Sequence, residues 1–335
     1  MLWFEKLMGF KESTPEQVRK NIVLEGKLMK SLINNKSYQY GSLEIPTLSE
    51  LRKRNIFQFD GALALLEVIE DVQLFHLMSE NEGAFFQAAS QFNLLEMVNP
   101  RVTPEDGVAK YEFDKTQGPA CAIACGAGTI FRNYFVQIGE QIGQTANNQI
   151  DCLEEIGNYF DNDNLGLWNM ENGYAFVNEN GLNHISKKIK NLSKEEYEAL
   201  KGQLKVGIQW DTEVTISPLG LIVSQIYCSG LPVNYSNVES ELWEEFACLI
   251  LDATYEATFH AAMINYQNTG NNKVYLTLVG GGVFGNKSEW IIESILINLK
   301  KFSNQDLDIR FVSYGSSNPI VRNIIERYNE WKHPS

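Results

Sequence analysis

The sequence predicts an α/β fold in which a mixed sheet is sandwiched between helices. An N-terminal helical extension is expected over residues 1–60 and the sheet domain over 61–335. Two observations predict this. From residue 204 onward, apolar runs of strand length alternate with segments of helix length, the pattern of a sheet covered by helices. The chain of 335 residues is 44% hydrophobic and 11% aromatic, enough to fill a sizeable core.

Taken in order, Thr14-Pro15-Glu16 is a helix start, and Val18, Ile22, Leu28 and Leu32 continue at roughly helical spacing. A short extended piece follows, then a second helix capped by Thr47 or Ser49. VQLFHLM (72–78) and GAFFQAASQF (83–92) read as strands. The polar connection over 94–117 is long enough to be functional or to carry local structure of its own. GPACAIACGAGTIFRNYF (118–135) reads as a buried helix rich in small residues, and 143–160 as an amphipathic one. NGYAFVNENGLNHISKKI (172–189) reads as a hairpin leading into a surface helix, and Ser193 caps the next helix. Strands are expected at 204–215, 220–229, 274–279 and 307–314, and helices at 241–265, 288–302 and the C-terminus.

The net charge of −14 repels phosphate backbones and anionic lipid, so nucleic-acid and membrane partners are not expected. An anionic ligand would be held by backbone amides and helix N-termini, while cationic partners are steered in. The N-terminus lacks the apolar stretch of a secretory leader, and no run of 18 apolar residues occurs. The five cysteines are odd in number and sit in apolar surroundings, which predicts free thiols and a reducing, cytoplasmic setting. No set of residues has metal-ligand spacing, so neither metal nor cofactor is expected.

Four features carry chemistry. VGGGVFGN (279–286) places Gly280, Gly281 and Gly282 between the apolar run VYLTLV and a helix-like segment, with Val283, Phe284, Gly285 and Asn286 completing the turn. Glycine inside a packed element costs roughly 0.5–1 kcal/mol relative to alanine. The run is either a tight strand-to-helix turn or an anion cradle whose amides meet phosphate. In WDTEV (210–214), residues i and i+2 of an extended segment share a face, so Asp211 and Glu213 project together, with Cα atoms about 6.5–7 Å apart. They suit acid/base work at a glycosidic carbon, forked recognition of a guanidinium, or a solvated face. Asn93, ending a strand between Gln91 and Glu96, is a turn residue or a partner for a sugar hydroxyl. Glu105 and Asp106 in TPEDG form an acidic turn or a substrate-facing pair. His76 lies in an apolar segment and reads as a satisfied core residue.

The stretches ASQFN (89–93), TQGPACAIACGAGTIFRNYF (116–135), VGIQWDTEVT (206–215), SQIYCSGLPVNYS (224–236) and VGGGVFGN resemble a divergent macrodomain over about residues 70–320. Within that group the chain is similar to the MavL-type arginine-specific ADP-ribosyl hydrolases, related to the poly(ADP-ribose) glycohydrolase branch. The resemblance implies a macrodomain-like fold and removal of ADP-ribose from modified arginines, with ADP-ribose and ADP-ribosylated proteins as partners. It implies that Gly280 to Asn286 embrace the diphosphate and that Asn93 lies near the distal ribose. Tyr314 and Asn318 in SYGSSNP fall near the adenosine. Asp211 and Glu213 become the candidates for activating water at C1″ or holding the guanidinium. ASQFN stands where ordinary macrodomains have NAAN, and no Gln-Glu-Glu follows the late triglycine. A non-catalytic ADP-ribose reader, or a hydrolase of an O-linked derivative, are the alternative readings.

Overall fold

The computed structural model describes residues 1–55 and 59–334. Its centre is a seven-stranded mixed sheet. We number its strands β1 (Ser42–Glu44), β2 (Ala64–Ile69), β3 (Phe85–Ala89), β4 (Gly207–Glu213), β5 (Ile222–Cys228), β6 (Lys273–Leu276) and β7 (Asp308–Ser313). Across the sheet the order is β1-β4-β5-β3-β6-β7-β2. β5, β3, β6, β7 and β2 run parallel, whereas β4 is antiparallel to both β5 and β1. One direction therefore governs the middle of the sheet, and β4 reverses it.

Period-2 alternation assigns each face a helical layer. On β3, Gln87 donates to Thr258 Oγ1 of the long helix α3 (Glu244–Thr269), while the neighbouring Phe86 stacks on His76 on the other face. That second face is covered by α1 (Gln117–Ala124) and α2 (Gly126–Tyr134). The two are broken at Cys125, where Thr215 accepts the Gly126 N–H and donates its own N–H to the Ala124 carbonyl. Helix α4 (Ser288–Lys301) packs on α3, and α5 (Pro319–Lys332) packs on α4.

Several elements differ from the sequence reading. Residues 72–77 form a helix, not a strand, because Asp71 caps it at the Gln73 N–H and Val72, Phe75 and His76 bury one helical face. The helix after Thr14 ends at Asn21, since Ile22-Val23-Leu24 prefers extended backbone and Gly26 turns with φ +61°. Ile22–Glu25, Leu28–Ser31 and Ser37–Gln39 make a separate three-stranded sheet. The N-terminal 60 residues thus add strands to their helices, and their β1 pairs with β4 in the central sheet. Residues 56–58 of that stretch lie outside the described residues. Between 143 and 160 only Glu154–Phe160 is helical.

His76 is a satisfied core residue. Its Nδ1 donates to the Val72 carbonyl at 2.8 Å, its Nε2 receives Gln225 Nε2 at 3.0 Å, and burial pushes its pKa down to about 4. No helix among the described residues is long and apolar enough to cross a membrane.

Candidate functional site

Because β3, β5 and β6 are parallel, their carboxyl ends open on one edge, where open α/β sheets place ligands. A cleft of about 680 Å³ lies there. Its walls are Ala89, Ser90 and Gln91 after β3, Gly230 after β5, the turn from Thr277 to Phe284 after β6, and the segment from Phe113 to Gly118 that leads into α1.

The glycines do different work. Gly280 has φ +76°, and a Cβ there would meet Asn286 Nδ2 at 2.8 Å. A Cβ on the facing Gly230 would stand 2.6 Å from the Gly280 Cα, so two glycines let the ends of β5 and β6 touch. Gly285 has φ +75° and packs directly on Asn234. Gly282 has φ +56° and faces open space. The turn is closed by Gly281 N–H to Leu278 O, Gly285 N–H to Gly282 O and Asn286 N–H to Gly280 O. The amides of Gly280, Gly282 and Val283 have no acceptor among the described residues and border the cleft. The triglycine is thus a tight turn that also leaves backbone donors beside a cavity.

One carboxyl group stands out. Glu96 is 4% exposed, lines the cleft, and its Oε1 has no hydrogen-bond partner among the described residues. Burial pushes its pKa well above the ordinary carboxylate range; the nearby Arg132 pulls it back and Asp114 adds to the rise. Arg132 itself is spoken for, with its guanidinium 3.6 Å above the Tyr227 ring and bonded to Leu94 O and Thr129 Oγ1. Asp114 lines the same cleft and accepts from the backbone and hydroxyl of Thr116. A buried carboxyl whose pKa is raised and a second, more exposed acid in one cleft are the components that glycosidic acid/base chemistry uses.

The rim is aromatic. Tyr174, Tyr235 and Phe284 form a triangle with centroids 5.2–5.8 Å apart, and Phe113 projects at 71% exposure. A second cavity of about 570 Å³ shares Asp114 and Lys115 with the cleft and carries Asp71 and Tyr314 on its wall.

The sequence-predicted residues divide. Gly280, Gly281, Gly282, Val283 and Phe284 line the cleft; Tyr314, 78% exposed, lines the adjoining cavity. Gly285 and Asn286 support the turn from behind, with Asn286 Nδ2 donating to Leu231 O and Gly280 O. Asn93 is fully buried off the cleft, where it accepts the Leu95 N–H and donates to Gln149. It shapes the turn that holds Leu94 at φ +65° and delivers Glu96. Asn318 caps α5 through the Ile320 N–H. Glu105 accepts the Ala146 N–H and Asp106 accepts from Thr103, so this pair is an acidic turn.

Asp211 and Glu213 are away from the cleft, and the reason is topological. On antiparallel β4 they lie beside Ile222 and Val223, the start of β5, whereas the cleft lies past its end at Cys228. At about 3.3 Å per residue this separates them from the cleft by roughly 20 Å. A bulge between Gln209 and Thr212 also breaks the assumed alternation and holds Asp211 at φ +52°. Asp211 pairs with Lys27 Nζ at 3.1 Å, and Glu213 accepts the Gln39 N–H at 2.8 Å. Both fasten the N-terminal sheet to β4.

Nothing in the sequence marks Glu96 and Asp114 as a pair, since each stands alone, 18 residues apart, with no paired-acid pattern. The available signal was the long polar connection that contains both.

No protein-family model matches the chain, and no curated protein matches it. Among solved structures, the poly(ADP-ribose) glycohydrolase of Deinococcus radiodurans in complex with ADP-ribose is similar at 10% identity and a TM-score of 0.48, covering 87% of this chain and 95% of that one. The poly(ADP-ribose) glycohydrolase of Thermomonospora curvata bound to the inhibitor ADP-HPD is similar at 8% identity and a TM-score of 0.44, covering 93% and 95%. A likeness this distant carries no weight for the chemistry, which rests on the residues of the cleft.

Proposed function

We propose that the protein hydrolyses ADP-ribose from modified arginine side chains, cleaving the N-glycosidic bond at C1″. The observation that carries this reading is Glu96: a buried carboxyl with an unpartnered Oε1, in a cleft that also holds Asp114 and the glycine turn. The resemblance of the sequence to arginine-specific macrodomain hydrolases supports the choice of linkage.

In this reading the free amides of Gly280, Gly282 and Val283 meet the diphosphate. The distal ribose reaches Glu96, and the adenosine extends toward Tyr314 in the adjoining cavity. As the C1″–N bond breaks, its electron pair leaves with the guanidine, and Glu96 gives that nitrogen a proton. Asp114 faces the positive charge that develops on the ribose and takes a proton from the water that forms the new C1″–O bond. The products are free ADP-ribose and a protonated arginine. The net negative charge of the chain favours approach of the cationic side chain.

The test is release of ADP-ribose from matched peptides modified on arginine, serine or glutamate, by wild type, Glu96→Gln and Asp114→Asn. Release from arginine alone, lost in either variant while ADP-ribose still binds, is the expected result. Tight ADP-ribose binding with no release from any peptide makes the protein a reader. No binding at all overturns the ligand as well.

A further inference from the structure

We infer that Glu12 is a positioning residue: the N-terminal segment is a clamp that holds the loop carrying Phe113 and Asp114 against the cleft. The inference rests on the hydrolase reading of that cleft. Glu12 Oε1 accepts the Val108 N–H at 3.0 Å and the Tyr134 hydroxyl at 2.7 Å, and Oε2 accepts the Ala109 N–H at 2.7 Å. Gly107, with φ +85°, lies so close that a Cβ there would stand 2.4 Å from Oε2, so the loop is shaped around this carboxylate.

The two amides begin the short helical turn Ala109–Phe113, whose last residue is a cleft wall and whose next residue is Asp114. More of the N-terminal segment grips the same turn. The Trp3 N–H donates to Glu112 Oε2 at 2.8 Å, the Trp3 indole donates to Val108 O at 3.1 Å, and Lys6 lies 3.8 Å from Glu112. On its far side the turn touches the site itself, because the Tyr111 hydroxyl accepts the Glu96 N–H at 2.9 Å. One helical turn thus joins Glu12 to the backbone of Glu96 and to Asp114. Glu12 lines neither the cleft nor the adjoining cavity, so its effect on the site runs through this turn, whereas Trp3 and Lys6 also form part of the adjoining cavity's wall.

A misplacement of about 1 Å at a reacting group costs on the order of 100-fold in rate. The glycine turn that would hold the diphosphate is a separate element. Glu12→Ala is therefore expected to lower kcat on an arginine-ADP-ribosylated peptide about 100-fold, with the Kd for free ADP-ribose within threefold of wild type. Glu12→Gln, which keeps one acceptor, should fall between. Amide hydrogen exchange should accelerate over residues 108–115 in Glu12→Ala and stay unchanged over 280–286. A kcat within twofold of wild type, or exchange that rises equally across both segments, overturns the inference. If wild type releases no ADP-ribose, the hydrolase reading has failed by itself, and the exchange pattern still decides whether Glu12 holds the loop.

Discussion

The Glu96 carboxyl is packed onto the bare α-carbon of Gly118: a Cβ at position 118 would stand 2.4 Å from Glu96 Oε2 and 2.0 Å from the Ala89 carbonyl oxygen. A glycine in an ordinary helical conformation is present because the Glu96 carboxyl and a strand end occupy the space a side chain would need. Gly118→Ala is expected to displace Glu96 or the start of α1, destabilising the fold by about 1–3 kcal/mol. It should reduce kcat by on the order of 100-fold. Denaturation midpoints and turnover, measured together, check both parts.

Glu96 also sets the direction of the pH profile. Burial raises its pKa, so in the proposed mechanism it would donate its proton below that value and lose the role above it. The rate of release should fall as pH rises through the raised pKa, and any residual rate that Glu96→Gln retains should lack that limb. A rate that instead climbs on deprotonation of Glu96 would make it a base.

His76 governs stability in acid. Its pKa in the fold is about 4 against a usual value near 6.5, so the unfolded chain binds the extra proton first. The stabilisation is complete above about pH 6.5 and declines as pH falls toward 4, by up to about 1.4 kcal/mol per pH unit. Thermal melting between pH 7 and 4.5 should show a decline that is shallower in His76→Gln.

Asp211 and Glu213 should be dispensable for turnover. Asp211→Asn removes an exposed pair with Lys27 and should cost under about 1 kcal/mol. Glu213→Gln weakens the tie to the Gln39 N–H. Turnover of both variants within twofold of wild type is the expected result, and loss of hydrolysis with intact ADP-ribose binding would return these acids to the mechanism.

Glu256 on α3 is the hub of a buried ion network. Its side chain is fully buried and is met by Arg52, Lys201, Lys301 and His260. Burial alone would raise its pKa, but hydrogen bonds from His260, Arg52, Lys301 and Lys201 outweigh that and hold it well below the usual range. Glu256→Gln leaves these cations undercompensated and should cost about 3–5 kcal/mol of stability, read from denaturant unfolding. The Kd for ADP-ribose of the folded fraction should be unchanged, because the network is absent from the cleft walls.

Much of the architecture was legible locally. The strand–helix alternation after residue 204, the caps at Thr14, Thr47 and Ser193, and the glycine turn after β6 each follow from neighbours in the chain, so short windows of sequence carry them. Helix 72–77 was hidden because a six-residue apolar run fits either period, and only the Asp71 cap and the layer it packs on resolve it. The site divided along the same line. Gly280, Gly281 and Gly282 announced themselves, since a glycine cluster needs a local backbone reason. The acids did not. Asp211 and Glu213 read as a pair because they stand two positions apart in a strand, yet strand direction and a bulge set them at the other end of the sheet from the cleft. Glu96 and Asp114 became a pair only when β3 and the segment before α1 met at one edge of the sheet. By itself the sequence determined the strand–helix alternation after residue 204 and the glycine turn after β6, which depend on local backbone preference. Tertiary structure alone decided which carboxyls share a cleft and which one has its pKa raised, because burial and proximity between distant segments are properties of the packed chain.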